Sequence, residues 1–258
     1  MPALHVVRHA GPTTGVPVLL LHGLGSSAGD WERQIPALLT RYAVLAVDLR
    51  GHGRSPRAAG AFTVEALADD VARTLGAEGV PAVHAVGLSL GACVALALAL
   101  RHPARVRSLT LVNGFARFAS AGPGAALRLA VRLVLLAAAP MSVVGAHVAR
   151  GLFPRPEQAA DRALAATRLA RTPRGVYLAA LAALARWDAR DRLGDVRCPT
   201  LVVVGDRDTT VPRRAAAELV AAIPTARLVV LPDAGHIAVW DAAEAFNRAL
   251  LAFLSGVQ

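Results

Sequence analysis

Gly87-Leu88-Ser89-Leu90-Gly91 sets one serine between two glycines, directly after the apolar run 82–86 and directly before a helical stretch starting at Leu90. This is the pattern of a tight strand-to-helix turn. Its strained backbone brings together the positions two residues to either side of the serine, so both must be small. A serine placed there stands at the N-terminus of the next helix, where free amides and the helix dipole favour developing negative charge. The chemistry implied is nucleophilic attack by Ser89 on a carbonyl carbon.

A serine hydroxyl attacks well only when a base takes its proton. Of the eight histidines, His5 and His84 fall in expected strands and His102 caps a helix end before Pro103. His147 lies in a helical stretch, His9 near the N-terminus, and His52 before the serine. His236 stands in Asp233-Ala234-Gly235-His236, on a loop between the last expected strand and the last helix. That loop belongs at the carboxyl edge of a parallel sheet, where Ser89 also belongs, so His236 is the expected base.

The acid that orients it has three candidates. Asp206 and Asp208 share Gly205-Asp206-Arg207-Asp208 after one strand, and Asp233 sits three residues before the base. Asp233 is better suited to shaping its own turn. Asp208, just before Thr209-Thr210-Val211-Pro212, has the reach of a loop-tip residue and is preferred over Asp206.

An oxyanion needs donors as well, because losing one such donor costs roughly 3–4 kcal/mol of transition-state stabilisation. The backbone amide of Leu90 is one expected donor. The other is the amide of Leu24 in His22-Gly23-Leu24-Gly25, where glycine lets the main chain approach substrate. Trp31, Phe115, Met141 and Trp187 are candidate substrate contacts, with Phe118, Phe153 and Trp240 beside them.

These residues must be held by a regular scaffold. Short apolar runs at 5–8, 17–21, 43–47, 82–86, 109–112, 201–204 and 228–231 read as strands, the later ones near-continuously apolar as in parallel sheets covered on both faces. Helices alternate with them: one capped by Thr63, one from Leu90 to Arg101, one after Pro212 and one after Asp241. The expected fold class is α/β, a doubly wound, mostly parallel sheet. The alternation lapses only over 115–187, an Ala/Leu/Arg-rich helical stretch broken by prolines. The expected organisation is a core of 1–114 and 188–258 with a helical cap at 115–187.

The bulk properties narrow the class of function. A chain of 258 residues can bury roughly 70–75% of its unfolded surface without a metal or disulfide to hold it. The net charge is +10, and all 28 basic residues are arginine. They are scattered without basic runs or interleaved aromatics, which argues against nucleic acid as partner. Cys93 and Cys198 show no metal-ligand spacing, so no metal is expected. Sparse cysteine and an N-terminal stretch without the apolar core of a secretory signal point to a cytoplasmic location. No uncharged apolar run is long enough for a membrane span, because Arg128 and Arg132 interrupt the most apolar segment.

In order along the chain, His22-Gly23-Leu24-Gly25, Asp48-Leu49-Arg50-Gly51-His52-Gly53-Arg54-Ser55, the Ser89 turn, Gly205-Asp206-Arg207-Asp208 and Gly235-His236 resemble the motifs of the α/β-hydrolase superfamily. The resemblance spans nearly everything except 115–187. It is nearest to small cofactor-free serine esterases, non-haem-haloperoxidase-type enzymes and 3-oxoadipate enol-lactonases. It implies an α/β-hydrolase fold and a triad of Ser89, Asp208 and His236, with Leu24 and Leu90 amides as the oxyanion hole and no cofactor. Relatives that form an alkyl-ester intermediate are expected to carry aspartate where this chain has Ser89. Ala92 departs from the second glycine many relatives carry after the serine. The function expected is hydrolysis of a small carboxylic ester or lactone through an acyl-enzyme. The rivals are a C–C bond hydrolase, lyase or synthase using the same residues, or a slow-turnover ligand receptor. The leucine- and valine-rich stretch from Leu127 to Leu136 suggests that 115–187 forms an apolar lid selecting an uncharged acyl or alicyclic substrate. The alternative is that these residues pack on the sheet or against a second subunit. A preference for an anion would point instead to arginines such as Arg117 or Arg128 as carboxylate clamps.

Overall fold

The computed structural model describes residues 3–11, 15–57, 59–118 and 122–257. Residues 119–121, at the start of the expected cap, and the first two residues of the N-terminal stretch lie outside them.

Seven strands form one sheet: β1 (Val6–His9), β2 (Val18–Leu21), β3 (Val44–Val47), β4 (Val83–Leu88), β5 (Val106–Val112), β6 (Thr200–Gly205) and β7 (Ala226–Leu231). They lie in the order β1-β3-β2-β4-β5-β6-β7. Only β1 runs antiparallel to its neighbour. The chain thus winds outward from β2 in one direction to β3 and in the other to β4. The crevice between the carboxyl ends of β2 and β4 is the topological switch point, where open α/β sheets bind their ligands.

The strands begin within one residue of the expected runs except β5 and β7, which start three and two residues earlier. β5 starts three residues before the apolar run 109–112, because Arg107 reaches solvent while the Ser108 hydroxyl is bonded to His84 Nδ1 at 2.8 Å. Alternate side chains go to opposite faces. Leu19, Leu21, Val83 and Ala85 meet one core layer, and Val18, Leu20, Val86 and Leu88 meet the other. Helices α2 (Val64–Ala77) and α3 (Leu90–Arg101) pack into the first layer, with α8 (Arg213–Ala222). Helix α1 (Ile35–Leu38), the short α9 (Ala238–Asp241) and α10 (Ala243–Ser255) pack into the second. The Thr63 hydroxyl accepts the Ala66 amide at 3.1 Å, so α2 starts at its expected cap.

Between β5 and β6 lie four helices: α4 (Pro123–Ala138), α5 (Met141–Leu152), α6 (Ala159–Arg171) and α7 (Arg174–Arg186). No strand intervenes among the described residues. The two ends of this segment meet, with an antiparallel bridge between Arg117 and Asp188 and the Ala189 amide donating to the Ala116 carbonyl at 2.9 Å. The segment therefore leaves and rejoins the sheet at one point. Among the described residues no helix is long and apolar enough to cross a membrane.

Candidate active site

Ser89 links β4 to α3 with φ 53° and ψ −111°. That left-handed conformation costs a non-glycine residue roughly 1–3 kcal/mol, and the surrounding structure must impose it. Gly87 and Gly91 make the turn possible. A Cβ on Gly87 would lie 2.1 Å from the Gly91 carbonyl oxygen, and one on Gly91 would lie 2.1 Å from that of Leu21. The extra methyl at Ala92 is accommodated by Gly114, where a Cβ would stand 2.7 Å from it.

His236, buried on the loop after β7, lies between Ser89 and Asp208. Its Nδ1 is 2.8 Å from Asp208 Oδ2 and its Nε2 is 3.0 Å from Ser89 Oγ. An ionised carboxylate only accepts, so Nδ1 carries the proton and Nε2 is left to accept from the serine hydroxyl. Asp208 is itself fixed, because its Oδ1 accepts the amides of Thr210 at 2.7 Å and Val211 at 3.0 Å. The other two aspartates stand apart. Asp206 is exposed, and Asp233 pairs with Arg207 at the surface.

Two further residues hold this arrangement, and neither was singled out from sequence. Asn113, at φ 46° just past β5, donates Nδ2 to the carbonyls of His236 at 2.7 Å and Gly235 at 3.1 Å. Its Oδ1 accepts the Gly205 amide at 3.1 Å. One buried side chain thus joins the end of β6, which leads to Asp208, to the loop carrying His236. Asp241 Oδ2 accepts the Gly235 amide at 2.7 Å from the other side. Burial raises the Asp241 pKa, against the opposing effect of that amide. A polar residue directly after an apolar strand was the available signal for Asn113. Its partners lie more than 90 positions away, and nothing local points to them.

The loop after β2 is held by His22. Its Nδ1–H donates to the Gly23 carbonyl at 2.7 Å, and its Nε2 accepts the Leu49 amide at 2.9 Å. Burial depresses the His22 pKa, which keeps the ring in the neutral form this pattern requires. Neighbouring His52 is pushed down to about 3, chiefly by burial. Next to His22, the Leu24 amide has no acceptor among the described residues, nor has that of Leu90 at the first position of α3. Both are free to meet an incoming oxygen.

Ser89 and His236 open into a cavity of about 130 Å³ between the sheet edge and helices α4 to α7. Phe115, Phe118, Phe153 and Trp240 line it. Three candidate substrate contacts do not. Trp31 is fully buried against Phe246 in the layer beneath β2 and β3. Trp187 is buried in the opposite layer, donating Nε1–H to the Phe115 carbonyl at 3.2 Å. Met141 packs in a small core among the four helices. Large apolar side chains are buried wherever a core is available, so their type alone does not say which surface they meet.

The cavity is not uniformly apolar. Asp30 lines it, accepting from the Ser26 hydroxyl, with Arg168 Nη1 at 3.6 Å. Burial raises the Asp30 pKa, against the effects of His22, Ser26 and Arg168. Arg128 and Arg132, both on α4, face the same space. Among the described residues no group of three or more His, Cys, Asp or Glu side chains could hold a metal ion.

A parallel sheet with a serine, histidine and aspartate in hydrogen-bonded sequence at its switch point defines the α/β-hydrolase type of protein. Residues 16–243 match the profile of the alpha/beta hydrolase fold, and the chain belongs to that family; it is a hydrolase. It is 38% identical over 265 residues to RutD of Variovorax paradoxus (strain S110), a carbamate hydrolase by name, covering 98% of this chain and 97% of that one. It is 35% identical over 256 residues to the pimeloyl-[acyl-carrier protein] methyl ester esterase of Neisseria meningitidis, covering 97% and 98%. The crystal structure of an enol-lactonase from Burkholderia xenovorans LB400 superposes with a TM-score of 0.89 at 28% identity, covering 98% of this chain and 96% of that one.

Proposed function

We propose that the protein is a serine hydrolase that cleaves a small carboxylic ester or lactone through an acyl-enzyme. The observation that carries this is the continuous chain from Ser89 Oγ through His236 to Asp208, at 3.0 and 2.8 Å. Ser89 attacks the carbonyl carbon while His236 Nε2 takes its proton. Asp208 holds the ring in the required tautomer and stabilises the imidazolium. The developing oxyanion is received by the amides of Leu24 and Leu90, assisted by the N-terminus of α3. His236 then protonates the leaving group, and water repeats the sequence to release the acid. The mechanism requires no metal or organic cofactor.

Supporting the substrate class, the esterase and the enol-lactonase are both named for cleavage at an ester-type carbonyl. In this reading 1–114 and 188–258 form the catalytic core, and 115–187 acts as the cap that admits substrate. Two contacts favour that role for the helices. Thr172 Oγ1 donates to the Gly25 carbonyl at 3.0 Å, and Leu169 and Tyr177 close over Gly25. The test is turnover of an ester, lactone, thioester and amide panel by the parent and by Ser89→Ala. Ester or lactone turnover should fall by several orders of magnitude in the variant, with thermal unfolding unchanged. Turnover that survives the substitution would assign the nucleophile elsewhere.

A further inference from the structure

Helix α4 is amphipathic in the inverse sense. Leu127, Val131 and Val134, at the i, i+4, i+7 spacing of one helical face, are 66%, 38% and 65% exposed, and Leu133 is exposed as well. The face turned to the cavity is Ala125, Arg128, Leu129 and Arg132. Hydrophobic burial alone would turn the helix the other way, because apolar area left in water forgoes roughly 25 cal/mol per Å². The apolar lining that the helical segment gives the cavity therefore comes chiefly from Val148, Leu152, Leu169, Leu181 and Leu184 on α5 to α7, while α4 brings charge to it. Only Leu129 and Ala125 contribute apolar lining from α4, and the most apolar residues of the stretch point outward.

What these arginines face decides the matter. Arginine stays charged at any ordinary pH. A charge turned towards an apolar-walled space is costly unless something of opposite sign meets it. Three arginines line the cavity against one aspartate, Asp30. Arg168 answers that aspartate and also donates to Glu32 at 2.9 Å. Arg128 and Arg132 reach no carboxylate within 4 Å among the described residues. Arg128 makes one bond to a neutral acceptor, the Thr209 carbonyl at 2.7 Å. Arg132 stands beside the Tyr177 hydroxyl, and its Nε is buried with no acceptor. The cavity that holds the serine thus carries two cationic groups in excess.

From this we infer that the substrate is itself an anion, with an acyl portion ending in a carboxylate that Arg132 and Arg128 receive. The inference rests on the serine-hydrolase reading and names its substrate class. Phe115, Phe118 and Leu129 contact the intervening carbons, and Ser89 attacks the ester at the other end. Asp30, held by Ser26 and Arg168, keeps a third arginine from competing for the carboxylate. The reaction releases a dicarboxylic acid and a neutral alcohol.

The test compares monomethyl esters of straight-chain dicarboxylic acids of four to eight carbons with the same esters bearing a terminal carboxamide, of equal size and no charge. In the parent, kcat/KM for the best carboxylate should exceed that for its carboxamide by roughly tenfold or more, the factor that a charge-assisted hydrogen bond supplies. Added salt should shrink the ratio. Arg132→Met should bring it near one, Arg132→Lys should restore part of it, and Arg128→Met should reduce it less. A parent ratio at or below one, on esters it does hydrolyse, overturns the inference without touching the triad. If no ester is hydrolysed, the serine-hydrolase reading fails by itself. The arginine site is then tested by calorimetric titration of the straight-chain dicarboxylates into the parent and Arg132→Met. Binding that is lost in the variant sustains the site, and equal or absent binding removes it.

Discussion

At the carboxyl edge of the sheet, Ser89, Asp208 and His236 are each fixed by contacts with the backbone. The Ser89 turn is closed by Gly87 against Gly91 and by Gly91 against Leu21, with the Ser89 amide on the Val112 carbonyl. Asp208 is fixed by the amides of Thr210 and Val211. His236 is held by Asp208 through its ring and by Asn113 through its carbonyl. The four-helix segment is tied down differently. α5 and α6 pack closely on each other, while α4 buries only Leu136 and leaves an apolar face to solvent. Helices α5 to α7 are tied to the core by Gln158 to Asp241, Arg168 to Glu32, Thr172 to Gly25 and the buried Phe153 and Leu184, whereas α4 bonds the sheet edge through Arg128 to Thr209. A region built with backbone constraints can hold reacting atoms to fractions of an ångström. A helix with as little buried surface as α4 can vary to suit different substrates while the chemistry stays the same. The division predicts that substitutions at the sheet edge act on kcat and those in the helices act on substrate preference.

The largest expected effect separates the two aspartates of one loop. Asp208→Asn should lower kcat by about four orders of magnitude, since the amide no longer enforces the productive histidine tautomer. Asp206→Asn, at an exposed position, should stay close to the parent. Comparable losses in both variants would break the assignment of the acid. Next comes Asn113→Ala, which leaves two buried carbonyls and one amide without their partner. With roughly 1–3 kcal/mol at stake for each group, kcat should fall about ten- to a hundredfold while KM changes little. A rise in KM alone would show that Asn113 shapes the pocket and does not position the base.

In the helical segment, Thr172→Val should cost only a few-fold, consistent with one hydrogen bond worth about 1 kcal/mol, and the change should appear in KM. A large loss in kcat there would contradict the division. A separate effect is on stability against acid. His52 and His84 are pushed down to about 3 and about 4, chiefly by burial. Between those values and the ordinary histidine range near 6.5, the unfolded chain binds protons that the folded one refuses. Stability therefore falls as pH drops through that window and is unaffected above it. His52→Asn should flatten part of the decline in denaturant midpoint between pH 6.5 and 4. Parallel curves for parent and variant would remove the assigned cause.

The same division governs what could be read from sequence. Gly87, Ser89 and Gly91 are legible because the turn dictates residue type by steric exclusion within five positions. That His236 and Asp208 come to lie beside Ser89 is legible because parallel-sheet topology sends the loops after successive strands to one edge. The central strands β2 to β6 could be anticipated because buried parallel strands are written as local apolar runs, and the partly exposed edge strands β1 and β7 keep a short run of the same kind. Their order across the sheet could not, because pairing is decided by contacts between distant segments. Asn113, Asp241 and the Asp30–Ser26–Arg168 group escaped for that reason. Residue type does not place Trp31, Met141 and Trp187, which lie in cores away from the cavity, because an apolar side chain gains from burial in any core. Arg128 and Arg132 broke an apolar pattern in the sequence, yet their direction depends on how α4 sits over the sheet. The periodicity of α4 does not reveal this, because its apolar face is the one left in water.

The claim on which the rest depends is that Ser89 is the activated nucleophile. A fluorophosphonate probe reacts with a serine whose proton is drawn off by a base, and peptide mapping of the labelled protein identifies the residue. The account predicts one adduct per chain, on Ser89, absent in Ser89→Ala and strongly slowed in Asp208→Asn. An adduct on any other residue, or labelling that persists in Ser89→Ala, would contradict it.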